Sequence, residues 1–163
     1  LHKAGIQTHY IDSNIEENTM TVKPAQPFGE GVEIICRYRA YGSFLRRYGK
    51  YAQKEQPLDS LVEITLKDDD RGDPLINDEA LDQLGIMTLE ECALVKDMTR
   101  KIAGIIRDDL ARRGLELYDI KFEFGRVNGE ITLIDDISGG NMRVFKDGQQ
   151  VGPLELSQIV INQ

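Results

Sequence analysis

The fold is set by residues 116–137, which read ELYDIKFEFGRVNGEITLIDDI. Over 116–125, aliphatic and aromatic residues alternate with charged ones, which is the period-two pattern of a strand with one apolar face. Asn128-Gly129 is a strong signal for a tight hairpin turn. We therefore predict that the chain turns there and returns as a second strand over 131–137.

This predicted hairpin carries charged side chains on the face opposite its apolar one. Asp119, Lys121 and Glu123 share that face, and the returning strand runs into Asp135-Asp136. Carboxylates that converge from adjacent strands suit Mg²⁺, which takes hard oxygen ligands and bridges them to nucleotide phosphates. The alternative is a half-exposed strand with a solvated polar face, and the local pattern leaves both interpretations open.

The register of the hairpin decides which acid lies beside Glu123. A two-residue turn places Glu123 opposite Ile134 and Lys121 opposite Asp136. A three-residue turn with a bulge shifts the pairing by one position and brings Glu123 opposite Asp135. The sequence alone does not choose between the two registers.

A second group of polar residues follows a strand predicted over 32–40. Arg37 and Arg39 lie on one face of that strand, and Gly42-Ser43 then ends it and opens a short helix. Arginine offers a bidentate fork for phosphate, and a helix N-terminus offers unpaired N–H groups. The segment therefore suits a phosphomonoester, unless Ser43 only caps the helix and the arginines pair with surface acids.

Composition limits the classes of protein that the chain can belong to. It has 20 Lys+Arg against 28 Asp+Glu, a net charge of −8, which argues against nucleic-acid binding. It has no apolar run long enough for a membrane span and no signal-peptide pattern. Cys36 and Cys92 fit no metal or redox spacing, so we expect two reduced core thiols and a cytoplasmic protein.

The remaining pattern indicates an α+β fold, because strands surround one long helix rather than alternating with helices. That helix is predicted over 89–113, with Thr88 and Glu91 as a capping box. The other predicted segments are two short strands within 6–23, a polar loop over 50–60, a strand over 61–66, a short helix over 78–84 and β segments over 141–163.

Three segments together resemble the SAICAR synthetase family over roughly residues 1–145. They are CRYRAYGSFLRR at 36–47, LKDD at 66–69 followed by Asp73-Pro74, and DIKFEFG at 119–125. The resemblance implies a two-layer α+β architecture similar to ATP-grasp enzymes, with an antiparallel sheet, one long helix and shorter helices. It also implies that residues 1–25 belong to an N-terminal ATP-binding module and 26–163 to a central and C-terminal α+β module that carries the active-site motifs.

The family's activity supplies an expected reaction. Its members are ATP- and Mg²⁺-dependent ligases of purine biosynthesis that join L-aspartate to the carboxylate of a phosphoribosyl aminoimidazole, CAIR, through an acyl phosphate. The implied partners are therefore the small molecules ATP, CAIR and L-aspartate, with no nucleic acid and no membrane; a homo-oligomer is compatible with the sequence.

The resemblance also implies roles for individual residues. Holding Mg²⁺ through Glu123 and Asp135 would select the bulged register, although Asp136 stays open as the metal ligand. The implied catalytic residues are Lys121, Asp119 and Lys67; the implied ATP and metal ligands are Glu123, Asp135 and Asp136; and the implied phosphate-binding residues of the CAIR site are Arg37, Ser43, Arg143 and Gly42.

The chain also departs from the family pattern. The family begins with a strand and a Gly-Lys-rich loop ahead of the position of Leu1, so we expect that a preceding segment is missing. Ser138-Gly139-Gly140 stands where the family has a Ser-Pro-Asp-type turn. A non-catalytic or truncated relative that binds a nucleotide or a phosphosugar is therefore an alternative, and so is another ATP-dependent ligase on the same scaffold.

Overall fold

The computed structural model describes residues 1–161, which form two compact units. Each unit is assembled from several segments of the chain. The boundary predicted after residue 25, between an N-terminal ATP-binding module and the rest of the chain, stays a prediction. The first unit comprises Leu1–Ile34, Ile64–Asp97 and Phe122–Asp135, and the second comprises Ile35–Glu63, Met98–Lys121 and the described chain from Asp136 onward.

The elements are strands and helices in the mixture that the sequence predicts. The strands are β1 (Tyr10–Asn14), β2 (Thr19–Val22), β3 (Gln26–Pro27), β4 (Val32–Arg39), β5 (Pro57–Leu66), β6 (Glu116–Val127), β7 (Glu130–Ile134), β8 (Met142–Lys146) and β9 (Gln149–Val151). The helices are α1 (Ser43–Tyr48), α2 (Asp78–Gln83), α3 (Leu89–Ala111) and α4 (Pro153–Ile161), with 3₁₀ turns at His2–Ala4 and Asp69–Arg71.

The strand β6 is the centre of the sheet topology. Seven strands form one sheet whose path runs β5-β4-β6-β8-β9, while β3 and β7 each pair with β6. The pairs that β6 makes with β3, β7 and β8 are all antiparallel. Strands β1 and β2 form a separate antiparallel hairpin. The α+β class predicted from the sequence is confirmed.

The turn at Asn128-Gly129 fixes how β6 pairs with β7. Both turn residues have positive φ, 53° and 85°, as a two-residue hairpin turn of type I′ requires. Glu123 consequently lies opposite Ile134. The bulged register that the resemblance implied is wrong, because a two-residue turn needs no bulge. Strand β7 ends at Ile134, and Asp135 leaves the ladder with a φ of 62°.

Two other segments differ from the sequence-based expectation. The sequence predicts a loop over 50–60, but β5 begins at Pro57, and its first half alternates between exposed and half-buried positions. Polar residues on that solvent-facing half hid the strand pattern. The sequence predicts β structure over 141–163, and β8 and β9 confirm it as far as Val151. Pro153 then opens α4, because a first helical residue needs no N–H partner within the helix, and residues 162–163 lie outside the described residues.

Helix α3 forms as its capping box predicts. The Thr88 hydroxyl accepts a hydrogen bond from the Glu91 backbone N–H at 3.1 Å, and the Glu91 carboxylate accepts one from the Thr88 N–H at 2.9 Å. Gly114 follows the helix with a φ of 71°, which suits a residue just past a helix C-terminus. The helix ends at Ala111, two residues before the predicted end.

Each unit has its own apolar core. Cys36 and Cys92 are buried and unpaired, so the prediction of reduced core thiols is confirmed. Over residues 1–161, no helix combines the length and apolar character needed to cross a bilayer. The core of the first unit includes Phe28, Ile34, Leu81, Val95 and Phe124, and that of the second includes Ile102, Leu117, Ile120 and Val144.

Candidate functional site

In the first unit, a lysine that follows β5 meets an acid on β6. The Lys67 ammonium donates a hydrogen bond to Glu123 Oε1 at 2.8 Å. This bond raises the pKa of Lys67 above its ordinary value, and the charges of Glu123, Asp135 and Glu33 act in the same direction against the cost of burial. Lys67 therefore keeps its positive charge among carboxylates. The negative charge of Asp135 acts on Lys67, although Asp135 does not pair with Glu123 in the sheet.

Gly31 allows the Lys67 side chain to take this position. The Lys67 backbone N–H donates to Gly31 O at 3.1 Å, so the two segments run close together. A Cβ on Gly31 would lie 3.3 Å from Lys67 Cδ, and its φ of 122° strains any residue with a side chain. A glycine here therefore lets the lysine stem lie against the backbone.

A cavity of about 600 Å³ adjoins Lys67 in the first unit. Its size falls in the range of pockets that hold small organic ligands. Its lining combines apolar and charged side chains. The apolar ones include Phe28, Leu66 and Ile86, and the charged ones are Glu30, Lys67, Asp68, Asp69 and Asp70.

In the second unit, Arg37 is completely buried and hydrogen-bonded to three side chains. Its Nε donates to Glu63 Oε2 at 2.6 Å, its Nη1 to Asp119 Oδ2 at 2.9 Å, and its Nη2 to Ser43 Oγ at 2.9 Å. Burying a guanidinium requires this compensation, because an unpaired buried charge is very costly. The alternative that the arginines pair with surface acids holds for Arg39, which pairs with the exposed Glu116, whereas both acids that pair with Arg37 are buried.

Ser43 is not the helix cap that the alternative interpretation proposed. Gly42 occupies the N-cap position of α1 and Ser43 is the first residue of the helix. The Ser43 oxygen accepts the Arg37 N–H at 2.9 Å, so the hydroxyl hydrogen can be donated elsewhere.

Asp119 joins Arg37 to a second arginine through the register of β6 and β8. A bulge between Leu117 and Asp119 brings Asp119 directly opposite Arg143. The Arg143 Nε lies 3.2 Å from Asp119 Oδ1, and its side chain is 31% exposed against 5% for Asp119. Burial raises the pKa of Asp119, while Arg143 and Arg37 act to lower it.

Gly42 gives Arg143 the space it occupies. The backbone at Gly42 has a φ of 55° and a ψ of −126°, a combination open almost only to glycine. A Cβ built there would lie 1.8 Å from Arg143 Nη1 and 2.6 Å from its Cζ. The guanidinium also lies over the Tyr41 ring, 5.5 Å from its centre. The second unit thus brings together five predicted site residues, which are Gly42, Ser43, Arg37, Asp119 and Arg143.

The other two predicted site residues, Asp136 and Lys121, each hydrogen-bond to Asn141 in the second unit. The Asp136 carboxylate accepts a hydrogen bond from Asn141 Nδ2 at 3.2 Å. The Lys121 backbone N–H donates to Asn141 O at 2.8 Å. The consecutive acids therefore differ, because Asp135 acts on Lys67 in the first unit whereas Asp136 is bound to Asn141.

Sequence reasoning missed Glu63, which pairs with two arginines. Besides Arg37, it accepts from Arg47 Nη2 at 2.8 Å on Oε1 and 2.7 Å on Oε2. The available signal was an acid inside the β-branched run 61–66, where a buried strand normally has none. Its partners lie 26 and 16 residues away, too far for a local pattern to name them.

Comparisons with known proteins indicate the family of this chain. The family model described as SAICAR synthetase matches residues 1–157. The phosphoribosylaminoimidazole-succinocarboxamide synthase of Clostridium tetani is 59% identical, and the match covers 99% of this chain and 72% of that protein. The synthase of the same name from Pyrobaculum calidifontis is 38% identical over 91% of this chain.

A solved structure gives the same result for the fold. A SAICAR synthetase in complex with ADP has a TM-score of 0.83 and 28% identity, covering 99% of this chain and 67% of that one. This chain spans 61% of the length of the Pyrobaculum relative, less than two thirds. The sequence match over nearly the whole chain and the shared fold show that the chain is a member of the SAICAR synthetase family.

Proposed function

We propose that this chain carries the nucleotide-binding and phosphosugar-binding residues of an ATP-dependent ligase that joins L-aspartate to the carboxylate of CAIR in purine biosynthesis. The observation that carries the proposal is that the residues of the family motifs form two charge clusters, each preorganised within its own unit. One is a lysine among carboxylates in the first unit, and the other is a network of arginines and buried acids in the second, in which Arg37 holds Ser43.

The first cluster suits a nucleotide with a divalent cation. Among residues 1–161, no three His, Cys, Asp or Glu side chains group as a metal-binding set. Mg²⁺ does not require such a set, because it commonly takes one or two carboxylates and fills its other positions with water and phosphate oxygens. The oxygens of Glu123, which accepts from Lys67, and of Asp135, whose charge acts on Lys67, fit that donor chemistry. Asp136 is the less favoured ligand, because it is bonded to Asn141.

The adjoining cavity suits the nucleoside. Its apolar side chains, among them Phe28 and Ile86, can pack against a purine ring, and its acidic side chains can accept hydrogen bonds from ribose hydroxyls. Lys67 would neutralise phosphate oxygens and fix their position. When bound, Mg²⁺ would offset the negative charge of the transferred phosphoryl group.

The second cluster suits the phosphate of CAIR. Arg143 offers a partly exposed guanidinium, and Ser43 offers a hydroxyl whose oxygen is already held by Arg37. Arginine and hydroxyl donors bind a phosphate monoester well, and the nearby N-terminus of α1 adds a favourable dipole. Asp119 would act by holding Arg37 and Arg143 rather than by touching the phosphate.

These two clusters correspond to what the reaction needs. A carboxylate is a poor acyl donor, so ATP first transfers its terminal phosphoryl group to the CAIR carboxylate, and ADP leaves. The amine of aspartate then attacks the acyl carbon, phosphate departs, and the amine loses a proton. Phosphoryl transfer depends mainly on positioning and charge neutralisation. Lys121, on β6 with Asp119 and Glu123, is the further cation that we expect to contact the reacting groups.

The proposal is tested by measuring ADP release from ATP with Mg²⁺, CAIR and L-aspartate. We expect release that needs all of them, and omission of CAIR or of aspartate serves as the control. Replacing aspartate with other amines distinguishes this ligase from another on the same scaffold.

If ADP with Mg²⁺ or CAIR raises the melting temperature but no ADP is released, the chain is a relative that only binds these ligands. If neither ligand changes the melting temperature and no ADP is released, the proposed function is wrong.

A further inference from the structure

We propose that Glu63 is a positioning residue for the phosphate site of the second unit. The inference rests on the proposed function and deepens it, since it names a residue outside the motifs that fixes the geometry of the phosphate site. Glu63 does not line the proposed site. It would act through Arg37 and Arg47, whose guanidiniums both bind its carboxylate.

The geometry of Glu63 is that of a clamp on two guanidiniums. One carboxylate oxygen accepts from Arg37 Nε at 2.6 Å and from Arg47 Nη2 at 2.7 Å, and the other accepts from the same Arg47 nitrogen at 2.8 Å. The Glu63 side chain is 7% exposed, so these bonds are shielded from water. Held at Nε by Glu63 and at Nη1 by Asp119, the Arg37 plane directs Nη2 onto Ser43.

The charges form an alternating chain with exposed ends. It runs from Arg47 through Glu63, Arg37 and Asp119 to Arg143. The three interior residues are buried, whereas the two terminal arginines are 27% and 31% exposed. Three guanidiniums against two carboxylates leave one net positive charge, which favours an anion at the ends of the chain.

This arrangement allows a test in which positioning and simple electrostatics predict opposite signs. Glu63→Gln removes one negative charge and keeps the shape of the side chain. If Glu63 only reduced the net positive charge of this alternating chain, Glu63→Gln would bind a phosphate more tightly. If Glu63 positions the arginines, the amide holds both of them less well, because its oxygen is a neutral acceptor and its NH₂ group, in the place of the other oxygen, is a donor that repels the Arg47 guanidinium. Phosphate binding then becomes weaker.

The experiment measures the affinity of ribose 5-phosphate by calorimetry for the unchanged chain, Glu63→Gln and Asp59→Asn. Asp59 is an exposed acid on the same strand, so its variant is matched in charge change and strand but not in contacts. We expect Glu63→Gln to bind about tenfold or more weakly, in line with the loss of a charged hydrogen bond. We expect Asp59→Asn to stay within about twofold, and the affinity for ADP with Mg²⁺ to be unchanged in both variants.

Tighter or unchanged binding of ribose 5-phosphate by Glu63→Gln would overturn the inference while the phosphate site stands. Equal losses of ribose 5-phosphate and ADP affinity would also overturn it, because they indicate a general loss of structure. No binding by the unchanged chain would overturn the proposed function itself. If Glu63→Gln does not fold, Glu63→Asp decides: it keeps the charge and shortens the reach, so weaker binding supports positioning and unchanged binding refutes it.

Discussion

Replacing Gly42 with alanine tests the phosphate site through the space that Arg143 occupies. The added Cβ would lie 1.8 Å from Arg143 Nη1, against about 3.4 Å for ordinary van der Waals contact. The guanidinium must therefore move by about 1.6 Å or more. Because it is the end of a flexible side chain, it can move, but it then leaves the place where its Nε lies 3.2 Å from Asp119.

The magnitude of this change has two parts. Alanine at the φ and ψ of Gly42 costs about 1–3 kcal/mol in the free energy of unfolding, the range for a residue held in a sparsely populated backbone region. Displacing Arg143 removes a charged hydrogen bond to a bound phosphate, worth about 1.5–3 kcal/mol. Each 1.4 kcal/mol is a factor of ten in affinity, so we expect ribose 5-phosphate to bind roughly ten- to a hundredfold more weakly.

The assay compares Gly42→Ala with Gly148→Ala by denaturant unfolding and by calorimetry with ribose 5-phosphate. Gly148 is also in the second unit and has a φ of 78°, but a Cβ there meets no atom within 4 Å. We expect both variants to lose stability and only Gly42→Ala to lose phosphate affinity. Equal affinities in the two variants would refute the assignment of Arg143 to the phosphate site.

Three further changes follow from single contacts. Glu123→Gln removes the carboxylate that pairs with Lys67, so ADP should lose about tenfold or more of its Mg²⁺-dependent affinity in calorimetry. Glu91→Gln keeps the capping box but weakens the bonds from Arg126 at 2.9 and 2.6 Å, and should cost about 1–2 kcal/mol of unfolding free energy at neutral pH. Burial alone would raise the pKa of the Glu91 carboxyl, but hydrogen bonds from the backbone and from Arg126 outweigh it and lower that pKa below 4.5. The loss of unfolding free energy in Glu91→Gln should therefore be full above that pH and fade as the pH falls through the lowered pKa. Burial raises the pKa of Cys36 to about 11, so iodoacetamide should label it only after unfolding, as followed by mass spectrometry.

Each of these outcomes has a control and a contrary result. Glu130→Gln, an exposed acid on β7, should leave Mg²⁺ dependence unchanged, and unchanged dependence in Glu123→Gln would contradict the metal assignment. Glu90→Gln, at the exposed neighbour in the same turn, is the control for Glu91→Gln. A loss of unfolding free energy in Glu91→Gln that persists undiminished in acid would show that the charge of Glu91 is not responsible. Labelling of Cys36 in the folded chain at the rate of a free thiol would contradict its burial.

The parts of the fold with strong local signals could be predicted from the sequence. The Asn128-Gly129 turn and the Thr88–Glu91 capping box each depend on residues within three positions of one another, and both form as predicted. The alternation along β6 likewise predicts the burial of Ile120, Phe122 and Phe124, but not that of Asp119 on the opposite face. Such features follow from backbone conformation and periodicity, which a single sequence displays directly.

The features that depend on distant partners could not be predicted. Periodicity places Arg37 on a face of β4 but does not indicate what covers that face, and its acids lie 26 and 82 residues away in the chain. The metal-binding assignment implied a bulged hairpin because it assumed that Asp135 must stand opposite Glu123. Asp135 instead follows the strand in a left-handed conformation, and its charge still acts on Lys67.

Under the proposed function, the buried charges of the second unit serve ligand binding rather than stability. A buried ion pair rarely stabilises a protein more than apolar side chains of the same size would, because removing charges from water costs several kcal/mol per ion. Arg37, Glu63 and Asp119 are all buried, so this unit bears that cost in its interior. What the network achieves is a fixed orientation of the guanidiniums before any ligand arrives, which lowers the entropy lost on binding. Residues that only filled the core would give the same fold without the fixed guanidiniums, and therefore without a preformed site for an anion.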